Sequence, residues 1–459
     1  MYRKNLKYGV TMEQRSKRPS LTEGNIRKQI ISLSIPMMFG MIGISLFNIV
    51  DTIYVGQLGT EALAALSFTF PVVLILNSIA LGIGIGASSV IARALGSGNH
   101  NKVVRYTTDS LSLAFIVIVI FVTIGELTIK PVFRMLGANG DVLIMVQRYM
   151  QIWYAGLPFV VFPMVGNNAI RALGDTKTPG TIMIISGLVN IMLDPLLIFG
   201  IGPFPRLEIE GAAIATVFAR SITFAVAIYV LKIREKIIST KRVPMAEVLE
   251  SWKKILFVGG PAAITRLIIP VGAGVITALL ASIGAQTVAG FGAAVKFERF
   301  ALLFTMAMAT VMAPFAGQNY GARNIKRIQK GIKFASSVSM GLGVVLFIIM
   351  YIFSESFASL FSKDPSVIAV IALYFRIVPL GYGVQGIFNI NSMVLNALNK
   401  PFHSTVLTIF QMFILYIPLA ILGKYLWGTT GIFLSLVISY LVSGVISLVL
   451  VGRVLRNLI

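Results

Sequence analysis

The sequence predicts an all-α polytopic membrane protein: twelve transmembrane helices in two parallel-repeat six-helix bundles around a central cleft. Three observations carry this prediction. First, 56% of the 459 residues are hydrophobic and only 12% are charged. The charged share is about half the roughly 25% of a soluble domain, whose surface needs charge for solubility. Second, apolar runs near the 20 residues of a bilayer span recur along the whole chain. Third, landmarks repeat at an offset of 225 residues.

The spans are expected at 30–56, 65–92, 108–127, 149–170, 179–201, 210–231, 255–280, 288–315, 332–353, 370–398, 404–422 and 430–451. Residues 1–28 form a basic tail with Arg3, Lys4, Lys7, Arg15, Lys17 and Arg18. The apolar run that follows is too long for a signal-peptide core. Within 22–25, just before that run, Thr-Glu-Gly-Asn is expected to cap a short amphipathic lead-in. The halves are then 29–231 and 255–459, with a cytoplasmic linker at 232–254. The termini and the loops after even-numbered spans hold 28 of the 39 Lys and Arg, with Lys333 at the edge of the ninth span counted to its loop, and the loops after odd-numbered spans hold six. The positive-inside rule therefore places both termini in the cytoplasm of a multi-pass cell-membrane protein. It also explains the net charge of +22 without nucleic acid.

The repeat aligns turn and kink residues. Pro36 falls on Pro261, Gly59 on Gly284, Gly96 on Gly321, Asn99 on Asn324, and Ala172-Leu173 on Ala397-Leu398. Six spans per half give both halves one orientation, the parallel duplication of secondary transporters.

Three carboxylates lie well inside spans: Asp51, Asp194 and Glu298. Each costs about 2.5–3.5 kcal/mol at a helix centre, so function is the default reading. Glu298 has Lys296 and Arg299 beside it, which offer an ion pair. Asn190 and Asp194, four apart, share a helical face, and Pro195 frees a carbonyl nearby. That oxygen set suits Na⁺, and a carboxylate in an apolar bundle equally suits a proton carrier.

Other signals are set aside. The absence of Cys excludes disulfides and thiolate metal sites. His100 and His403 are far apart in sequence. Gly82-Ile-Gly84-Ile-Gly86-Ala87 lies within a span, where small residues let helices approach, and not after a strand as nucleotide binding requires. No enzymatic motif and no cofactor are expected.

In order along the chain stand Pro36, Asp51-Thr-Ile-Tyr-Val-Gly56, Arg171-Ala-Leu-Gly-Asp175 with Pro179, Asn190 to Pro195, Gly211-Ala-Ala-Ile-Ala-Thr216 and Gly317-Gln-Asn-Tyr-Gly321. With these, the sequence resembles the multidrug and toxic compound extrusion (MATE) family from about Ile30 to Val451. The resemblance is to the prokaryotic drug-efflux type. It implies an antiporter, a monomer coupled to H⁺ or Na⁺, that exports lipophilic, mostly cationic drugs by alternating access. It implies a cation site at Asp51, Asn190, Asp194 and Thr216, and a first helix that bends at Pro36. It matches Asn167 and Asn168 to amides of the substrate cavity, where Glu298 is also placed. A second branch of the family has acids in its seventh and tenth helices; here 255–280 and 370–398 contain none. The alternative is a lipid-linked oligosaccharide flippase of the same superfamily, for which Arg220, Arg266 and Arg376 within spans would serve. Small-molecule drugs and membrane lipids are the expected partners.

Overall fold

A computed structural model describes residues 20–241 and 243–458. Most of the basic tail, including Arg3 to Arg18, lies outside the described residues. Among the described residues every regular element is helical.

The first half contains α1 (Ile26–Gly56), α2 (Thr60–Gly96), α3 (His100–Met135), α4 (Gly140–Ala155), α5 (Leu157–Ala172), α6 (Lys177–Phe199) and α7 (Glu208–Tyr229). The second contains α8 (Met245–Ala281), α9 (Ala285–Ala301), α10 (Leu303–Gly321), α11 (Ile325–Ile352), α12 (Ser354–Ser359), α13 (Pro365–Ile377), α14 (Tyr382–Ala397), α15 (Pro401–Ile409) and α16 (Ile417–Arg456).

Several expected spans are interrupted. The fourth is divided at Gly156, with Pro158 in the first turn of α5. A Cβ on Gly156 would stand 2.2 Å from a Val217 methyl, so the break lets the chain lie against α7. The eighth bends by 52° between α9 and α10. The tenth is divided by the 3₁₀ turn Val378–Gly381, where Pro379 removes a backbone donor. The eleventh and twelfth run as one helix except at Trp427 and Gly428, whose backbone angles are not helical. Among the described residues nine helices alone are long and apolar enough to span a bilayer, or ten with α9–α10. Counting α4–α5 as one broken span, and dividing the last helix at Gly428, gives the twelve crossings of the sequence.

The repeat persists in local geometry. Asn99 caps α3 by accepting from the Lys102 amide, and Asn324 caps α11 by accepting from the Arg327 amide. The interruptions at Gly156 and Gly381 also lie 225 residues apart. The expected linker at 232–254 is shorter than predicted. Val230–Arg234 is a π-helical turn, and α8 already begins at Met245. Its Trp252 indole donates to the Asp109 carbonyl at 3.0 Å, which ties this helix start to α3.

The chain forms two compact units, and their division falls inside helices. The described part of one is Pro36–Ala263; the other is Ser20–Ile35 with Ile264–Ile459. The expected boundaries at loops therefore differ from the packing: α1 changes unit at Pro36 and α8 just after Pro261. The first unit has its core among α2, α3, α4 and α5. There α2 meets α8 through small residues: a Cβ on Gly82 would lie 2.5 Å from the Gly259 carbonyl. In the second unit, Asn25 caps α1 by accepting from the Lys28 amide. The turn before it is held by Arg327, which donates to the carbonyls of Leu21, Glu23 and Gly24 and to the Gln29 side chain.

Candidate cation site

In the first unit, α6 carries Asn190 and Asp194 one turn apart on a buried face. Asp194 is fully buried, and neither carboxylate oxygen has a hydrogen-bond partner among the described residues. The Asn190 Nδ2 donates to the Thr216 hydroxyl of α7 at 3.3 Å, while its Oδ1 is left unpartnered. Asp51, near the end of α1, also has a buried, unpartnered Oδ1. The charges of Asp51 and Asp194 are close enough to act on each other and on the buried Tyr149 hydroxyl of α4. A small cavity, with room for about one water-sized particle, is lined by Asn190, Thr216, Ser186, Phe47 and Arg220.

Leaving one buried polar atom unpaired costs about 1–3 kcal/mol, and more for a charged one. Four such oxygens gathered on α1 and α6 are therefore expensive unless a ligand satisfies them. All are hard oxygen donors, which fits an alkali cation or protons on the acids. Among the described residues no group of three His, Cys, Asp or Glu could hold a metal ion. The cage would thus depend on amide and hydroxyl oxygens beside two acids.

The packing of α6 on α1 explains how these groups are positioned. A Cβ on Gly180 would lie 2.4 Å from the Pro36 carbonyl, and one on Gly40 would lie 2.8 Å from the Gly180 Cα. Small residues let the two backbones meet beside the proline.

Asn167 and Asn168 lie on α5, both buried. Asn168 donates to the Met164 carbonyl of its own helix at 2.7 Å and fills the space left by Gly84. The Asn167 Oδ1 is unpartnered. Glu298 lies in the second unit, on α9. Among the described residues it forms no ion pair. Lys296 and Arg299 point to exposed surface, and the Glu298 carboxylate instead accepts from the hydroxyls of Tyr374 and, at 3.5 Å, Tyr440. The ion pair suggested by the sequence is thus replaced by tyrosines from α13 and α16. Phe291 and Phe433 pack edge-on against Tyr374.

Tyr149 was absent from the sequence reading because an ordinary tyrosine in a span carries no signal. Asp109 was absent too. It is buried in α3 and paired with Arg105 at 2.7 Å, four residues away. Arg220 lines the small cavity and lies 5.9 Å over the Phe47 ring, with no hydrogen bond or ion pair among the described residues.

The sequence model of the MatE family matches residues 36–196 and 261–422. The chain belongs to the MatE family. Its members are transporters, and this protein is a multi-span membrane transporter of that family. It is 39% identical over 437 residues to a Shewanella oneidensis protein named FAD transporter, covering 95% of this chain and 97% of that protein. It is 25% identical to the multidrug export protein MepA of Staphylococcus aureus, covering 90% of both. Its structure is similar to a crystal structure of the Vibrio cholerae MATE transporter VcmN in a bent form, with a TM-score of 0.90 and 28% identity over 94% of this chain and 98% of that chain.

Proposed function

We propose that this MatE protein is an antiporter in which H⁺ or Na⁺ entering at Asp51, Asn190, Asp194 and Thr216 drives export of a small organic molecule by alternating access. The unpartnered carboxylate of Asp194 carries the reading. A buried acid whose oxygens meet no hydrogen-bond donor among the described residues calls for a transient partner, and the unpaired oxygens of Asp51 and Asn190 would complete its shell. Occupancy would remove the charge repulsion between the two acids and bias α1 about Pro36, where α6 bears on it. One charge crossing 100 mV supplies about 2.3 kcal/mol to the exchange. Both termini would lie in the cytoplasm, and the transporter would work as a monomer.

Two cargo readings have support. The first is an anionic dinucleotide of the FAD class. It draws on the 39% identical relative and on Arg220, which lines the small cavity and has no hydrogen bond or ion pair among the described residues. A fixed guanidinium suits bidentate binding of phosphate. The second is a lipophilic, mostly cationic drug, supported by MepA. Asn167, with its free Oδ1, would contribute to either cargo cavity, with Glu298 a second candidate.

The test is efflux from proteoliposomes with a Na⁺ gradient and a pH gradient imposed separately, using FAD and ethidium as cargo. Efflux under one gradient, lost in Asp194→Asn, supports coupling at this site. Full efflux in that variant overturns it. FAD moved in preference to ethidium supports the first cargo reading, and the reverse supports the second. Transport of a lipid-linked glycan, with neither of the two cargoes moved, would support the flippase alternative.

A further inference from the structure

The second unit holds a larger cavity, of about 450 Å³, between α11, α14 and α16. That size lies in the usual range of ligand pockets, about 300–1,000 Å³. It lies at the end of the unit where α11 begins and α14 and α16 finish. Its wall is largely apolar, with Ile387 buried and Met340 and Leu448 exposed. Polar side chains interrupt that wall, Asn391 and Ser336 among them. Asn391 is fully buried; its Nδ2 donates to the Ser447 hydroxyl at 2.9 Å, and its Oδ1 has no partner among the described residues. The Ser336 hydroxyl is likewise buried without a partner. Lys333 lines the same cavity from an exposed position.

The charge around the cavity has one sign. Lys326, Lys330, Arg453 and Arg456 lie on the same ends of α11 and α16, and neither helix contains an Asp or Glu. Arg327 is already committed to the turn before α1. Lys333 makes no ion pair among the described residues. The pocket thus combines an apolar floor, an unpaired acceptor in its wall, and a cation at its mouth. A water molecule could satisfy Asn391, but it would leave the floor and the charge without a role. An amphiphile answers all three, and acidic lipids are drawn to basic segments beside a membrane span.

We propose that this cavity binds one phospholipid with an anionic glycerol headgroup. Its phosphate rests on Lys333, a headgroup hydroxyl donates to Asn391 Oδ1, and an acyl chain runs along Met340, Ile387 and Leu448. Phosphatidylglycerol has all the required parts. Phosphatidylcholine has the chains without net charge or a hydroxyl donor, and free glycerol 3-phosphate has the charge without the chains.

The experiment is native mass spectrometry of the full chain in detergent, titrated with each of these three compounds. One phosphatidylglycerol should be retained per chain, about fivefold more tightly than phosphatidylcholine. Lys333→Glu should weaken it by about thirtyfold, since it changes the local charge by two. Gly452→Leu should weaken it by occupying part of the cavity. A Cβ there meets no heavy atom within 4 Å, so this variant should melt as the parent does. Equal retention of the two lipids, or retention unchanged in both variants, would overturn the proposal. Binding of glycerol 3-phosphate as tight as that of the lipid would also overturn it, in favour of a soluble phosphate ligand.

Discussion

Asp194 in the first unit and Glu298 in the second are both carboxylates buried within apolar helices, yet their oxygens are in different circumstances. Those of Asp194 accept no hydrogen bond among the described residues. Those of Glu298 are met by Tyr374 and Tyr440. The cost of burying an acid is thus offset inside the protein at one position and left open at the other. An acid already satisfied can persist without a ligand, whereas an acid with free oxygens is poised to take one. The difference also explains why intramembrane charge alone did not rank the two positions. The ranking depends on partners from distant helices.

This comparison can be broken by substitution. The largest expected effect is on transport. Asp194→Asn should reduce gradient-driven efflux by about 5–150-fold, the range of a coupling free energy between sites. Its melting temperature in detergent should stay level or rise, since an uncompensated charge has been removed. A variant that melts much earlier, or transports fully, would contradict the assignment.

Packing comes next. Gly180→Leu would drive a side chain into the Pro36 carbonyl. It should lose about 1–3 kcal/mol or more, as overpacking of a rigid contact does. Thermal unfolding checks this, and an unchanged midpoint would show that α6 does not bear on α1 at that point.

The tyrosine cluster should respond in the opposite sense to Asp194. Tyr374→Phe leaves a Glu298 oxygen unpaired and should cost about 1–3 kcal/mol. Adding Glu298→Gln should recover part of that loss, because the group left behind is then uncharged. A double-mutant cycle on unfolding midpoints measures it, and additivity would mean the two groups do not interact. The smallest effect is expected from Thr216→Ala. It removes one hydrogen bond, worth about 0.5–1.5 kcal/mol. The dependence of efflux on the coupling ion should shift by about threefold to tenfold, with the maximal rate nearly kept.

Much of this was legible in the chain. Apolar run lengths determined an all-helical membrane protein, because a bilayer leaves the backbone few ways to satisfy its own hydrogen bonds. The spacing of four in Asn190 and Asp194 determined that they share a face, because a helix repeats every 3.6 residues. The offset of 225 paired Asn99 with Asn324, and the structure shows both as caps, since a short polar side chain before a helix accepts from its first turn.

The tertiary structure decided what local rules do not reach. Gly156 interrupts a span because α7 lies against it, which the α4–α5 segment alone does not reveal. Glu298 turns to Tyr374, 76 residues away, and not to its neighbours Lys296 and Arg299, because adjacent residues on a helix point to different faces. Pro36 marks the position where α1 passes from one compact unit to the other, a division that loop composition did not suggest. Sequence spacing fixes which groups share a helix face. Which of them are left without partners depends on contacts between helices far apart in the chain, and in this protein those unpartnered oxygens define the candidate site.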